Sequence, residues 1–235
     1  MSRKEMINHH LEQMAQAIFK NWFVDFEPFE DCEFIESALG EIPRGWRVGT
    51  LSELVAVKYG KDHKKLHDGS IPVFGSGGVM RFVDTALHYG ESVLIPRKGS
   101  LDNVFYVNRP FWSVDTMFYT VMNRPNLAKF LYFFLCSKDL ASMNVGSAVP
   151  SMTAEILNAL PIVIPPEEEL IRFEDAVSAQ FVLIENNLRE NETLAVFRDT
   201  ILPHLMSNKL SLVDFSDAND DLTHCSHKFQ NVVLF

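Results

Sequence analysis

The chain has 235 residues, 47% apolar and 22% charged, with a formal net charge of −10. That size supports one well-buried domain with material to spare, and the balance is ordinary for a globular protein. No run of 18 apolar residues occurs and the opening MSRKEMINHH has no apolar core, so neither a membrane span nor a signal peptide is expected.

Lys4 to Phe23 predicts a helix, because Ile7, Leu11, Met14, Ala15, Ile18 and Trp22 recur at spacings of three and four. Val24 to Ile42 is acidic and aromatic, carries Pro28 and is followed by Pro43; it reads as an extended connector. From Trp46 to about Phe118, short apolar runs alternate with turn residues: VKYG, IPVFGSGG, VLIPRKGS, VFYV and FYTVM. These read as strands, with Gly77-Gly78 and Gly99-Ser100 marking tight turns. Asn126 to Leu140 reads as a helix with Leu127, Phe130, Leu131, Phe134 and Leu135 on one face. NVGSAVPSMT is a loop that ends in Ser151 or Thr153 as a helix N-cap. Pro161 to Ile164 is a strand.

Pro165-Pro166-Glu167-Glu168-Glu169 opens a long helix: proline suits the first turn, and the glutamates complement its positive end. Leu170, Phe173, Val177, Phe181, Ile184 and Leu188 continue it as a narrow apolar seam. The pattern runs to Leu202, and Pro203 is expected to kink or end it. Such a helix is about 50 Å long. A single seam calls for a partner helix, from the same chain or a second copy. Residues 8–23 and 191–206 align at an offset of 183 and share an Asn-x-x-Leu start, which suggests a repeat. The polar, acidic stretch from Asp214 to Phe235 is expected to be loosely ordered. The chain thus divides into a helix over 1–24, a connector over 25–45, a strand-rich domain over 46–165, a long helix over 166–208 and a tail over 209–235.

Charge is unevenly spread. Residues 44–150 hold thirteen Lys/Arg against eight Asp/Glu, a net of +5, between flanks of −6 (1–43) and −9 (151–235). The middle alone would be drawn to a polyanion. The three cysteines, Cys32, Cys136 and Cys225, are odd in number and far apart, which fits a reducing cytoplasm better than a disulfide framework.

FGSGGV (74–79) has neither the P-loop spacing nor G-x-G-x-x-G, and reads as a turn between strands. RKGS (97–100) suits phosphate contact but not phosphate chemistry, because LDNVFYV after it is another strand. The N–H groups of Gly99 and Ser100 beside Arg97 would make an anion nest; the other reading is a surface hairpin with incidental charge. KYGKDHKKLH (58–67), with four lysines and two histidines, is either a nucleic-acid-facing loop or a solvated one. His63 and His67 sit four apart but lack a third ligand, and His224-Cys225-x-His227 is no better supported, so no metal is expected. Asp84, Asp102 and Asp115 have no recognisable base or nucleophile as partner. No Asn/Asp-Pro-Pro-aromatic motif for amino-group methylation occurs, so the chain is expected to be non-catalytic.

Six stretches together carry a family likeness: LEQMAQAIFKNWFVDFEPF (11–29), LGEIPRGWRVGTLSEL (39–54), IPVFGSGGV (71–79), VLIPRKGSLDNVFYVNRPFWSVDTMFY (93–119), GSAVPSMTAEILNALPIVIPP (146–166) and LAVFRDTILPHLMSNKL (194–210). The chain resembles the specificity subunits of type I restriction-modification enzymes, specifically a C-terminal half or half-subunit with one target recognition domain. The resemblance implies an α+β fold: a strand-rich recognition domain attached to helices that pack as an antiparallel coiled coil. It implies a non-catalytic subunit that reads half of a bipartite site on double-stranded DNA. Its helices would dock the modification and restriction subunits, which would carry S-adenosylmethionine and ATP. Two copies could restore the missing half-site as a homodimer.

On this reading Lys58, Lys61, Lys64, Lys65, Arg81, Arg97 and Lys98 are candidates for phosphate contact, and Ser76, Ser100, Asn103 and Ser147 for polar contact with bases or backbone. Leu11, Ile18 and Trp22 would form the seam with the long helix. The alternative is a DNA-silent module that only docks partner subunits.

Overall fold

The structure is a computed structural model that describes residues 3–143 and 150–206. In chain order its elements are α1 (Arg3–Phe23), a 3-10 turn (Glu27–Phe29), β1 (Phe34–Ser37), β2 (Gly40–Pro43), β3 (Arg47–Thr50), α2 (Leu51–Leu54), β4 (Val55–Tyr59), β5 (Asp68–Gly75), β6 (Gly78–Val83), β7 (Glu91–Pro96), β8 (Phe105–Asn108), β9 (Trp112–Ser113), β10 (Met117–Met122), α3 (Ala128–Cys136), α4 (Ala154–Asn158), β11 (Pro161–Ile164) and α5 (Glu167–Met206). The fold is α+β. The chain forms two units, one of His9–Phe181 and one of Met1–Asn8 with Val182–Phe235.

In the larger unit the central sheet has the order β4-β10-β7-β8, and every pairing in it is antiparallel. Its two faces bury different cores. Val93, Ile95 and Phe118 point into one, and Leu94 and Met117 into the other. This explains the unbroken apolar run at 93–95: a strand covered on both faces has no solvent side to mark with polar residues. The first core is shared with the helices. Ala15, Phe19 and Phe23 of α1 meet Phe130 and Phe133 of α3 and Phe173 and Val177 of α5 there. α3 is buried all round, as its sequence AKFLYFFLC requires. The second core lies under a three-stranded sheet of order β6-β5-β9, where Val73, Phe74, Phe111 and Trp112 are buried. β11 pairs with β3 and carries the chain back before α5.

Lys129 is the one cation in the wall of α3. Its Nζ lies between Glu91 of β7, at 3.3 Å, and Glu174 of α5, under the rings of Tyr106 and Phe181. A buried cation persists only when paired this way.

In the smaller unit α1 and α5 run antiparallel: Lys4 pairs with Glu190, and Asn187 Nδ2 donates to Asn8 Oδ1 at 2.7 Å. Beyond this pairing Leu194, Phe197 and Leu202 are exposed.

Several elements differ from the sequence expectation. The stretch 24–42 is not extended throughout; it holds the 3-10 turn and all of the β1–β2 hairpin but Pro43, register Phe34↔Pro43 to Ser37↔Gly40. The buried face of α1 is Ala15-Phe19-Phe23, of which the predicted stripe holds only Ala15; Ile7 and Met14 are exposed, Leu11 is half-buried, and Ile18 and Trp22 flank the core half-buried. The domain core selects this face, because Phe130 and Phe173 offer rings to Phe19 and Phe23. The seam of α5 is buried at Leu170, Phe173, Val177 and Phe181, half-buried at Ile184 and exposed at Leu188. α5 does not end at Pro203 but runs through it to Met206. The proline lies on exposed helix, where water can satisfy the carbonyl it frees. The expected tail from 209 lies outside the described residues.

Candidate nucleic-acid interface

Three loops and one strand end meet at one end of the central sheet. The first is the basic loop 60–67 between β4 and β5. Gly60 N–H donates to the Met117 carbonyl at 3.0 Å, and Lys61 N–H to the Ser113 carbonyl at 2.8 Å. Trp112 Nε1 donates to the Lys61 carbonyl at 2.9 Å. A Cβ at residue 60 would stand 2.0 Å from the Val114 carbonyl oxygen, so this approach requires glycine.

The second is the β5–β6 turn, where Ser76 and Gly77 link the pair Gly75↔Gly78. FGSGGV is therefore a hairpin turn, as its sequence suggests. The third is the β7–β8 connection, and RKGS opens it, with the hairpin register running from Glu91↔Asn108 to Leu94↔Phe105. Asn103 Nδ2 donates to the Ser76 carbonyl at 2.8 Å and ties the second loop to the third. The segment before β10 closes the group: Thr116 accepts from the N–H of Arg97 (2.8 Å) and of Lys98 (3.2 Å).

Between these parts lies an open cleft of 430 Å³, lined by His63, Gly75 to Met80, Val114, Asp115 and Thr116. Its rim is basic. Lys61, Lys64, Lys65 and Lys98 are exposed and carry no ion pair among the described residues, and the same holds for Lys58 on β4. Exposed cations without internal partners are free to neutralise an external anion at little desolvation cost.

The candidate residues therefore differ in condition. Arg81 is engaged: its Nη2 reaches Asp68 Oδ1 at 2.5 Å and the Leu66 carbonyl at 3.3 Å, and it braces β6 against β5. Arg97 is half-buried, stacked over the Tyr59 ring at 5.2 Å, with Nη1 on the Asp115 carbonyl at 3.3 Å. The nest at Gly99 is not available as drawn from sequence. Gly99 N–H donates to the Pro150 carbonyl at 3.1 Å, and Lys98 N–H is taken by Thr116. Gly99 instead has φ 89°, a left-handed turn conformation that favours glycine. Ser76 lies in the cleft wall, Ser100 is exposed and Asn103 acts as the brace. Ser147 lies outside the described residues. His63 and His67 stand on a loop and a strand approach, not on one helical face.

Sequence reasoning did not reach Tyr59, His63, Val79, Met80 and Asp115 as parts of one site. His63 Nδ1 is shielded from water with no partner among the described residues, and Val79 and Met80 are exposed at 43% and 61%. The available signal was two large apolar residues directly after a glycine turn, where a solvated turn would carry polar ones.

A family model described as the type I restriction modification DNA specificity domain matches residues 43–193. The type I restriction enzyme MjaIX specificity subunit of Methanocaldococcus jannaschii is 26% identical over 238 residues, covering 89% of this chain and 55% of that protein. The HindI specificity subunit of Haemophilus influenzae is 23% identical over 289 residues, covering 87% of this chain and 62% of its own length. The chain thus spans a little over half the length of the curated relatives it matches. Among solved structures, the S subunit of a type I restriction-modification system from M. genitalium superposes with a TM-score of 0.53 at 20% identity, over 85% of this chain and 52% of that one. The HsdS subunit from Thermoanaerobacter tengcongensis gives 0.50 at 16%, over 86% and 52%. At these identities the likeness is one of fold.

Proposed function

The chain belongs to the type I restriction modification DNA specificity domain family, and from that premise we propose that it recognises one half of a bipartite site on double-stranded DNA. The observation that carries the reading is a set of exposed lysines without an ion pair among the described residues: 61, 64 and 65 on the loop that gives His63 to the cleft, and 98, whose N–H is held by the lining residue Thr116. Phosphate contacts of this kind set register and supply most of the affinity, while groups inside the cleft face base edges. Among the described residues no helix is long and apolar enough to cross a membrane.

The chain itself is non-catalytic on this reading. S-adenosylmethionine and ATP belong to the modification and restriction subunits, and the exposed apolar residues of distal α5 dock those subunits or a second copy. The curated relatives are named as specificity subunits of type I restriction enzymes, which supports this division of labour.

The test is a mobility shift with duplexes of randomised sequence, in the presence of modification subunits. Wild type should retain a subset of sequences, and Lys61→Ala/Lys64→Ala/Lys65→Ala/Lys98→Ala should lose retention while still assembling with those subunits. A chain that assembles but retains no sequence preferentially overturns the proposal.

A further inference from the structure

The cleft sorts its charges. No Lys or Arg lines it, whereas Asp115 does, and its carboxylate carries no hydrogen bond or ion pair among the described residues. Its backbone is firmly held. Its carbonyl accepts from Arg97 Nη1 at 3.3 Å, and its neighbours Val114 and Thr116 bond to Phe74, Arg97 and Lys98. A carboxylate repels phosphate, so the cleft is unsuited to the DNA backbone. It suits the exocyclic amino group of a base, which donates to a carboxylate. Two further features point the same way. His63 lines the cleft with its Nδ1 shielded and unpartnered, and a buried polar atom of this kind calls for a polar ligand atom or an ordered water. Met80, in the same lining, is exposed, with its thioether over Gly75, where a Cβ would stand 2.5 Å from the sulfur.

Resting on the DNA-recognition reading above, we propose that this cleft is the base-reading element, with Asp115 and Met80 as specificity determinants. Asp115 accepts from the N4 amino group of a cytosine in the major groove, and Met80 packs on the methyl group of a neighbouring thymine. Lys61, Lys64, Lys65 and Lys98 hold the flanking phosphates and read nothing.

The experiment selects preferred sequences from a randomised duplex pool, using the full chain with modification subunits, for wild type, Asp115→Asn, Met80→Ala and Lys64→Ala. Wild type should require cytosine at one position of the half-site, by roughly 5- to 150-fold over other bases. Asp115→Asn should move that preference toward adenine, since an amide both donates and accepts as N6 and N7 of adenine require. Met80→Ala should relax a thymine position, and Lys64→Ala should weaken all sequences alike. Preferences unchanged by both Asp115→Asn and Met80→Ala overturn the inference and leave DNA recognition standing. A uniform loss of affinity in Asp115→Asn also overturns it, by making the residue a brace. A wild type without any preference overturns the recognition reading and this inference with it. Asp115 is exposed and its swap isosteric, so unchanged subunit assembly confirms that the variant folds.

Discussion

Ser92 and Thr120 are polar side chains with no exposure, in the middle of the central sheet. β7 and β10 pair from Met117↔Pro96 to Tyr119↔Leu94, and beyond that the two hydroxyls take the place of the ladder. Thr120 Oγ1 accepts from Val93 N–H at 2.8 Å and donates to the Val93 carbonyl at 3.1 Å. Ser92 Oγ donates to the Thr120 carbonyl at 2.8 Å and accepts from Thr120 N–H at 3.1 Å. Thr120→Val keeps the shape but strands two buried backbone groups, so it should cost about 1–3 kcal/mol in urea unfolding. A second residue gives the pH dependence. Burial against the rings of Phe111 and Tyr119 pulls the His88 pKa below its ordinary value, opposed in part by a hydrogen bond with the Glu91 backbone. The native state then disfavours the proton that the unfolded chain accepts near pH 6.5. The stability from neutral His88 is complete above that pH and falls as pH drops toward the lower native value. Unfolding midpoints at pH 7.5 and 5.5 should differ less in His88→Gln than in wild type.

At the scale of elements, the long helix has two regimes. Phe173 has no exposure and meets Phe19, Trp22, Phe23 and Phe133, whereas Phe197 is 58% exposed. Phe173→Ala should therefore cost about 3–5 kcal/mol and Phe197→Ala close to nothing in thermal melts of the chain alone. Gly60→Ala should displace the basic loop, because its Cβ would meet backbone rather than a flexible side chain. Much of this level was legible in sequence. The strand at 161–164 and the Pro-Pro-Glu helix start stand where the residues put them, since turn chemistry and capping are local. The face of α1 was legible only at Ala15, because 14-18-22 and 15-19-23 are both apolar enough and only the aromatic cluster of α3 and α5 decides between them. The cleft was legible only in pieces. Its lysines stand out as a run, but Asp115 and Met80 join them through the tertiary approach of β5, β6 and β10.

At the scale of the whole molecule, the charge map and the fold agree. The net +5 of residues 44–150 includes cations engaged within the fold, such as Arg81 and Lys129, and exposed lysines without an ion pair among the described residues, on the loop 60–67 and at Lys98. Lys129 joins the central sheet to α5 through Glu91 and Glu174, so Lys129→Ala, which removes the cation from two partly buried carboxylates, should destabilise the fold, by up to about 3–5 kcal/mol in chemical unfolding. The rim lysines should behave oppositely, with little effect on folding and a large one on polyanion affinity. The most direct test of the central claim is the salt dependence of DNA affinity, measured with modification subunits present, for wild type and for Lys61→Ala/Lys64→Ala/Lys65→Ala/Lys98→Ala. Each lysine that neutralises a phosphate contributes about 0.9 to the slope of log affinity against log salt. The account predicts a slope shallower by about 3 to 4 in the quadruple variant, with unfolding unchanged. Equal slopes for the two proteins would contradict it.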